Sequence, residues 1–233
     1  MKGAARAAPF LFPGSLPLPP PSFSRVIDSL LVAADEALRA LSGATSAARP
    51  SPACESAGEP GPARAEDREL SGRLMRVNHT GEVCAQALYS GQALVARDAR
   101  VRAALQGAAS EERDHLAWCR ERLGELGSRA SILDPLWYAG SFGWGVASGL
   151  AGDRWSLGFL AETEDQVERH LDGHLGRLPR DDRASRAIVL RMREDENRHG
   201  AAGRALGARE LPGPVKAAMR AAARVMTGTT YWV

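Results

Sequence analysis

Cysteine is scarce in this 233-residue chain: Cys54, Cys84 and Cys119 are the only three, none of them in a Cys-x-x-Cys pair. An odd, scattered set excludes a disulfide framework and favours a reducing compartment. Charge of one sign is also lacking. A net charge of +2, from 30 basic and 28 acidic residues, argues neither for nucleic acid nor for an acidic ligand as partner. Long apolar runs are weak too. Pro135 to Gly152 spans 18 residues without a charge, the lower limit for a membrane-crossing helix, but it contains five glycines and closes on Asp153-Arg154. A secretory signal is not expected, because Pro9, Pro13, Pro17, Pro19, Pro20 and Pro21 break the helix that its apolar core would need.

Composition divides what is there. Residues 1–22 are rich in Ala, Pro and Leu, and residues 43–69 are rich in Pro, Gly and Ala with little apolar bulk. Neither can offset its ordering entropy by burial, so a flexible tail and a linker are expected. Between them, within residues 23–42, Val26, Ile27, Leu30, Leu31, Ala34, Leu38 and Leu41 recur at helical spacing. This predicts an amphipathic helix that either packs on the main domain or meets a membrane surface or partner. The main domain is expected over 70–233. Near its end, Lys216, Arg220 and Arg224 form a basic stripe beside Val215, Met219 and Met226, either a solvated helix face or a membrane-surface helix.

The strongest pattern is a repeat. Glu112-Arg-Asp-His115 and Glu196-Asn-Arg-His199 are two copies of Glu-x-x-His, preceded 30 and 32 residues upstream by Glu82 and Glu164. Three residues on a helix turn through about 300°, so each Glu and His share a face and can bind one ion. A Glu on each of two helices with Glu-x-x-His on each of two others is the ligand set of ferritin-like di-metal carboxylate bundles. Hard oxygen donors with one imidazole per metal suit iron or manganese better than zinc or copper.

Apolar periodicity places these residues on four helices, over Met75–Val95, Ala99–Leu126, Leu157–Leu178 and Asp182–Leu206, the last capped by Asp181 or Asp182. Charged residues on the apolar rows cost several kcal/mol each, about what a buried ion loses in solvation, unless they are paired or bind metal. Periodicity alone does not choose between Glu162 and Glu164. Glu111 stands four before His115 and could form an ordinary helix pair, while Asp195 and Arg198 flank the second motif and could orient its ligands. His79 would share a face with Glu82 as a structural residue or one that orients a ligand, and His174 is expected to be exposed. Cys119 reads as a small core residue.

The run Leu74-Met-Arg-Val-Asn-His-Thr-Gly-Glu-Val resembles the signature around the first ligand of the demethoxyubiquinone hydroxylases. The likeness continues through Glu111-Glu-Arg-Asp-His-Leu, Pro135-Leu-Trp with its Gly-rich sequel, Glu164 to His170, and Glu194-Asp-Glu-Asn-Arg-His, covering roughly residues 70–233. It implies an all-α, ferritin-like four-helix bundle with additional amphipathic helices, and two Fe ions per chain on Glu82, Glu112, His115, Glu164, Glu196 and His199. It also selects Glu164 over Glu162. His170 matches a histidine that lies beside the iron site in the family. The tyrosine that follows that histidine in the family is Leu171 here, which puts any role of that tyrosine in doubt for this chain.

The resemblance further implies a di-iron monooxygenase of ubiquinone biosynthesis that hydroxylates the ring of a polyprenyl demethoxyubiquinol with O2, drawing on an electron donor of unspecified identity. A substrate with an insoluble tail requires contact with a membrane surface. The expected place is therefore the cytoplasmic face of the bacterial cell membrane, as a peripheral protein, with other ubiquinone-biosynthesis proteins as possible partners and no nucleic acid. Segments 133–152 and 214–233 are the expected contacts, with Trp137, Tyr138 and Trp144 at headgroup depth. An ordinary buried hairpin is the other reading of 133–152. A ferritin-like iron-storage or oxidase protein, and a metal-free helical interaction protein, are the competing functional readings.

Overall fold

The computed structural model describes residues 23–56 and 61–233. The expected tail at 1–22, and residues 57–60 of the expected linker, lie outside them. Among the described residues there are seven α-helices and no strand: α1 (Phe23–Ser42), α2 (Ala65–Val95), α3 (Ala99–Glu125), α4 (Asp134–Leu150), α5 (Asp153–Arg177), α6 (Arg183–Ala205) and α7 (Gly213–Thr230). A short 3-10 turn spans Pro52–Ser56.

Two helical hairpins, α2–α3 and α5–α6, pair into a four-helix bundle, and α4 lies along α2. Local chemistry sets the ends. Asp98 caps α3 by accepting from Arg100 N at 2.8 Å, and Asp182, one of the two expected caps, caps α6 by accepting from Ser185 N at 3.0 Å. Asp182 also takes Arg122 Nη2 at 2.7 Å, which ties the start of α6 to the end of α3. α2 is the central helix: from Leu74 to Ala93 all but Arg76, Gly81 and Cys84 are buried. A helix apolar on one side only could not sit there, and polar residues such as Asn78, His79 and Glu82 must therefore find partners inside.

Two apolar clusters bracket the middle of the bundle. One gathers Leu88, Tyr89, Leu105, Leu157 and Leu160. The other gathers Leu74, Met75, Trp118, Cys119, Leu123, Ile188 and Met192, with Cys119 fully buried as a core residue. Along α2, α3 and α5 the repeat glutamates and His115 fall between these two clusters, and on α6 they follow Ile188, Val189 and Met192 of the second.

The glycine-rich segment forms the regular helix α4, and two of its glycines, Gly145 and Gly149, serve contact with α2. A Cβ on Gly145 would stand 2.2 Å from Leu88 O, and one on Gly91 of α2 would stand 2.5 Å from Phe142 O. The two backbones approach closely because neither carries a side chain there. The outer face of α4 leaves Leu136, Trp144 and Leu150 exposed, and α1 packs Ala37, Ala40 and Leu41 inward while exposing Leu30, Leu31 and Leu38. Among the described residues no helix is long and apolar enough to cross a membrane.

Candidate metal centre

The four bundle helices each deliver their acidic position to one buried point. Glu82 comes from α2, Glu112 and His115 from α3, Glu164 from α5, and Glu196 and His199 from α6; all six are buried. His115 Nδ1 lies 3.3 Å from Glu82 Oε2, 3.1 Å from Glu112 Oε2 and 3.3 Å from Glu196 Oε1. His199 Nδ1 lies 3.4 Å from Glu112 Oε1, 3.7 Å from Glu164 Oε1 and 3.3 Å from Glu196 Oε2. The cluster thus divides into two groups that could each hold a metal ion, Glu82–Glu112–His115–Glu196 and Glu112–Glu164–Glu196–His199, with donor atoms within 4.8 Å of one another in each. Glu112 and Glu196 belong to both groups.

Without a cation this arrangement is electrostatically unbalanced. Burial, with the neighbouring charge of Glu112, raises the Glu82 pKa, and burial with the charge of Glu196 raises that of Glu164. Burial opposes charge on both histidines as well, yet their hydrogen bonds to the carboxylates win, raising His115 well above its ordinary value and His199 to about 10. Protons here occupy positions where a metal would supply positive charge. The donor chemistry fits such an ion: Glu164 Oε2 is buried and makes no hydrogen bond, and buried Glu112 Oε1 and Glu196 Oε1 have only a histidine Nδ1 near them, at 3.4 and 3.3 Å.

Around the cluster stand residues that fix its members. Asp195 Oδ2 faces His115 Nε2 at 3.1 Å, so His115 donates outward and presents Nδ1 to the carboxylates. Asp195 thus serves the histidine of the other motif, across the α3–α6 interface. Glu111 does the reverse: its Oε2 lies 3.4 Å from His199 Nε2, on α6, and 3.2 Å from Arg198 Nη2. Tyr89, fully buried, donates its hydroxyl to Glu164 Oε1 and leaves the other oxygen free. Tyr89 went unnoticed in the sequence, although it stands seven residues after Glu82 and so shares its face.

Other sequence-marked residues lie elsewhere. Glu162 is buried but turned toward α7, with Oε2 3.4 Å from Lys216 Nζ and Oε1 accepting from Gln166 Nε2 at 2.7 Å; Arg220 Nη1 stands 3.9 Å from that same Oε1. The basic stripe of α7 therefore has a partner in the bundle, and it is Glu164 that reaches the cluster. His79 stands 3.2 Å from Asp134 Oδ2, at the start of α4, away from both metal groups. His174, expected to be exposed, is buried and donates from Nδ1 to Asn78 Oδ1 at 2.7 Å, because the polar face of α2 needs an internal partner. The ring of His170 lies 4.0 Å from that of His174, and its buried Nε2 makes no hydrogen bond. Burial, aided by Arg177, lowers the His170 pKa to about 4, so this imidazole is neutral.

Residues 69–230 match the family model described as ubiquinone biosynthesis protein COQ7, and the chain belongs to that family. Its relatives include proteins named 3-demethoxyubiquinol 3-hydroxylase. The one from Verminephrobacter eiseniae is 60% identical over 209 residues, covering 88% of this chain and 98% of the relative. That from Cupriavidus taiwanensis is 58% identical over 205 residues, covering 88% and 99%. A third, from Bordetella pertussis, is 56% identical over 207 residues, covering 89% and 93%.

Proposed function

We propose that this chain is a di-iron monooxygenase that hydroxylates the ring of a demethoxyubiquinol in ubiquinone biosynthesis, with Glu82, Glu112, His115, Glu164, Glu196 and His199 as the ligands of two irons. The observation that carries the reading is the pair of overlapping donor groups sharing Glu112 and Glu196. Four carboxylates balance the charge of two divalent ions, and oxygen donors with one imidazole per ion select iron or manganese. Two irons held by these six residues would supply the redox chemistry of a reaction in which one atom of O2 goes to the ring and the other, with two electrons and two protons, to water.

The protein's own residues do the rest. Asp195 and Glu111 stand at the outward nitrogens of the two histidines, and the Tyr89 hydroxyl holds one oxygen of Glu164, so the ligands are set before any ion arrives. The apolar clusters above and below the centre keep bulk water from it. His170, neutral and with a buried free nitrogen, is a residue we assign to the site's surroundings, on the resemblance and not on a contact with the six ligands. Leu136, Trp144 and Leu150 of α4, with the exposed leucines of α1, form the surface we assign to the lipid interface, where a polyprenyl tail is met. On this reading the protein sits peripherally on the bacterial cell membrane, on its cytoplasmic face.

Glu196→Ala is the test. Because Glu196 belongs to both donor groups, the variant is expected to lose hydroxylation and to fall below two irons per chain by elemental analysis. Two irons retained with full turnover would contradict the assignment. In cells lacking the protein, quinone profiling is expected to show a demethoxyubiquinone accumulating. A ferritin-like storage protein would leave the quinone pool unchanged.

A further inference from the structure

Arg49 lies in the stretch that composition marks as a spacer, 20 residues before residue 69, where the family match begins. It is anchored as few spacer residues are. Its Nε stands 2.5 Å from Asp114 Oδ2 and its Nη1 2.8 Å from Asp195 Oδ2. The guanidinium carbon sits 4.9 Å from the centre of the Trp118 ring, Trp118 Nε1 donates to Arg49 O at 3.2 Å, and Ala48 N donates to Asp114 Oδ1 at 2.7 Å. The strap is fastened across α3 and α6 where they carry the two Glu-x-x-His motifs.

The division of Asp195's oxygens gives Arg49 its significance. Oδ1 is held by Arg198 and lies 3.4 Å from Arg191 Nε, both on α6 itself. Oδ2 is the oxygen that faces His115 Nε2 at 3.1 Å, and the cation on that oxygen is Arg49. A carboxylate clamped at Oδ1 alone could still pivot; clamped at both oxygens, it has one orientation.

We propose that Arg49 is a positioning residue for the metal centre: by fixing Asp195 Oδ2 against His115 Nε2, it aims the Nδ1 lone pair of His115 at the Glu82–Glu112–Glu196 group and slows loss of the ion held there. The proposal rests on the di-iron reading. It assigns to a segment outside the matched family region a part in holding iron, and it favours the His115 side, because Arg49 Nη1 lies 2.8 Å from Asp195 Oδ2 but 3.8 Å from Glu111 Oε2, the oxygen that faces His199 Nε2. The guanidinium's two-armed grip suits Arg better than Lys, which can hold one carboxylate at a time.

The test measures iron release from the loaded full chain to a ferrous chelator in Arg49→Ala, Arg49→Lys, Asp195→Asn and the Arg49→Ala/Asp195→Asn double variant. Arg39→Ala, which removes an exposed ion pair with Asp35, is the reference. Arg49→Ala is expected to bind two irons at saturation but to release one of them about 10–100-fold faster, the usual effect of removing a partner that orients a ligand. The second iron should be released with a much smaller change, because Arg49 reaches Glu111 only at 3.8 Å. Arg49→Lys should fall between, and the double variant should be no faster than Asp195→Asn alone. The thermal midpoint of each metal-free variant separates positioning from loosening of the fold. Release of both irons in proportion to lost thermal stability overturns the proposal, as does release from Arg49→Ala at the unmodified rate. Unmodified protein that takes up fewer than two irons removes the di-iron reading itself, and the proposal with it.

Discussion

At the scale of single residues, the centre is a place where negative charge is assembled first and compensated afterwards. His199 in the metal-free protein has its pKa raised from 6.5 to about 10: burial opposes this, and hydrogen bonds with Glu112 and Glu196 outweigh it. A group whose folded pKa lies above its unfolded value stabilises fully below the unfolded value, and that contribution is lost as pH rises through the folded one. Glu82 and Glu164, also raised, act in the same direction from a lower starting pH. The metal-free protein is therefore expected to lose thermal stability as pH rises from about 6.5 to about 10, a fall that iron should suppress by replacing those protons. Calorimetric melts with and without iron across that range check it, and identical pH profiles would contradict it. Iron uptake should also release protons, seen as a dependence of the binding heat on buffer ionisation enthalpy.

Much of this scale could be read from the chain, and what could not has a physical cause. The two Glu-x-x-His pairs and their upstream glutamates were visible because their relations are local, or repeat at nearly equal intervals along helices. Glu164 was separated from Glu162 by resemblance, and in the fold Glu162 turns to Lys216 on α7. Asp195 serving His115, and Glu111 lying against His199, depend on the register between α3 and α6, which no spacing within one helix specifies. Arg49 was hidden by composition: Ala, Ser and Pro around it announce little burial, yet one guanidinium on two acidic residues suffices to fasten the strap.

Among elements, the α2–α4 contact is where sequence and structure differ most instructively. Five glycines suggested poor helix propensity, but in the fold Gly145 faces the α2 backbone at a distance a side chain would forbid and Gly149 lies against Val95, while Gly140 and Gly143 face open space. Gly145→Ala should separate the helices or distort α2 near Leu88, costing about 1–3 kcal/mol, the usual range for overpacking. Gly143, exposed and with nothing within 4 Å of a Cβ, is the control. Gly143→Ala should be neutral or stabilising by up to about 1 kcal/mol through helix propensity. Denaturant unfolding of both variants measures the difference, and equal stabilities would refute the role given to the glycines. The boundaries of the four bundle helices were legible to within a few residues, except that α2 begins at Ala65, inside the stretch read as spacer.

For the molecule as a whole, the proposed function requires a water-insoluble substrate to reach a buried centre through a fold in which no described helix can cross a bilayer. The proposal assigns that contact to the exposed leucines of α4 and α1. Burying one leucine side chain in an apolar phase is worth about 1.5–3 kcal/mol. Leu136→Ser with Leu150→Ser should therefore lower binding to phospholipid vesicles by about tenfold or more, while turnover of a short-tailed quinol in detergent is retained. Unchanged vesicle binding would remove α4 from the membrane contact. The central claim is that this chain uses a di-iron centre to place one atom of O2 on a quinol ring. Incubating the iron-loaded protein with demethoxyubiquinol, a reductant and 18O2, followed by mass spectrometry of the product, tests it most directly. The account predicts a hydroxylated quinol carrying one 18O atom, lost in Glu196→Ala; no hydroxylated product, or a hydroxyl oxygen drawn from water, would contradict it.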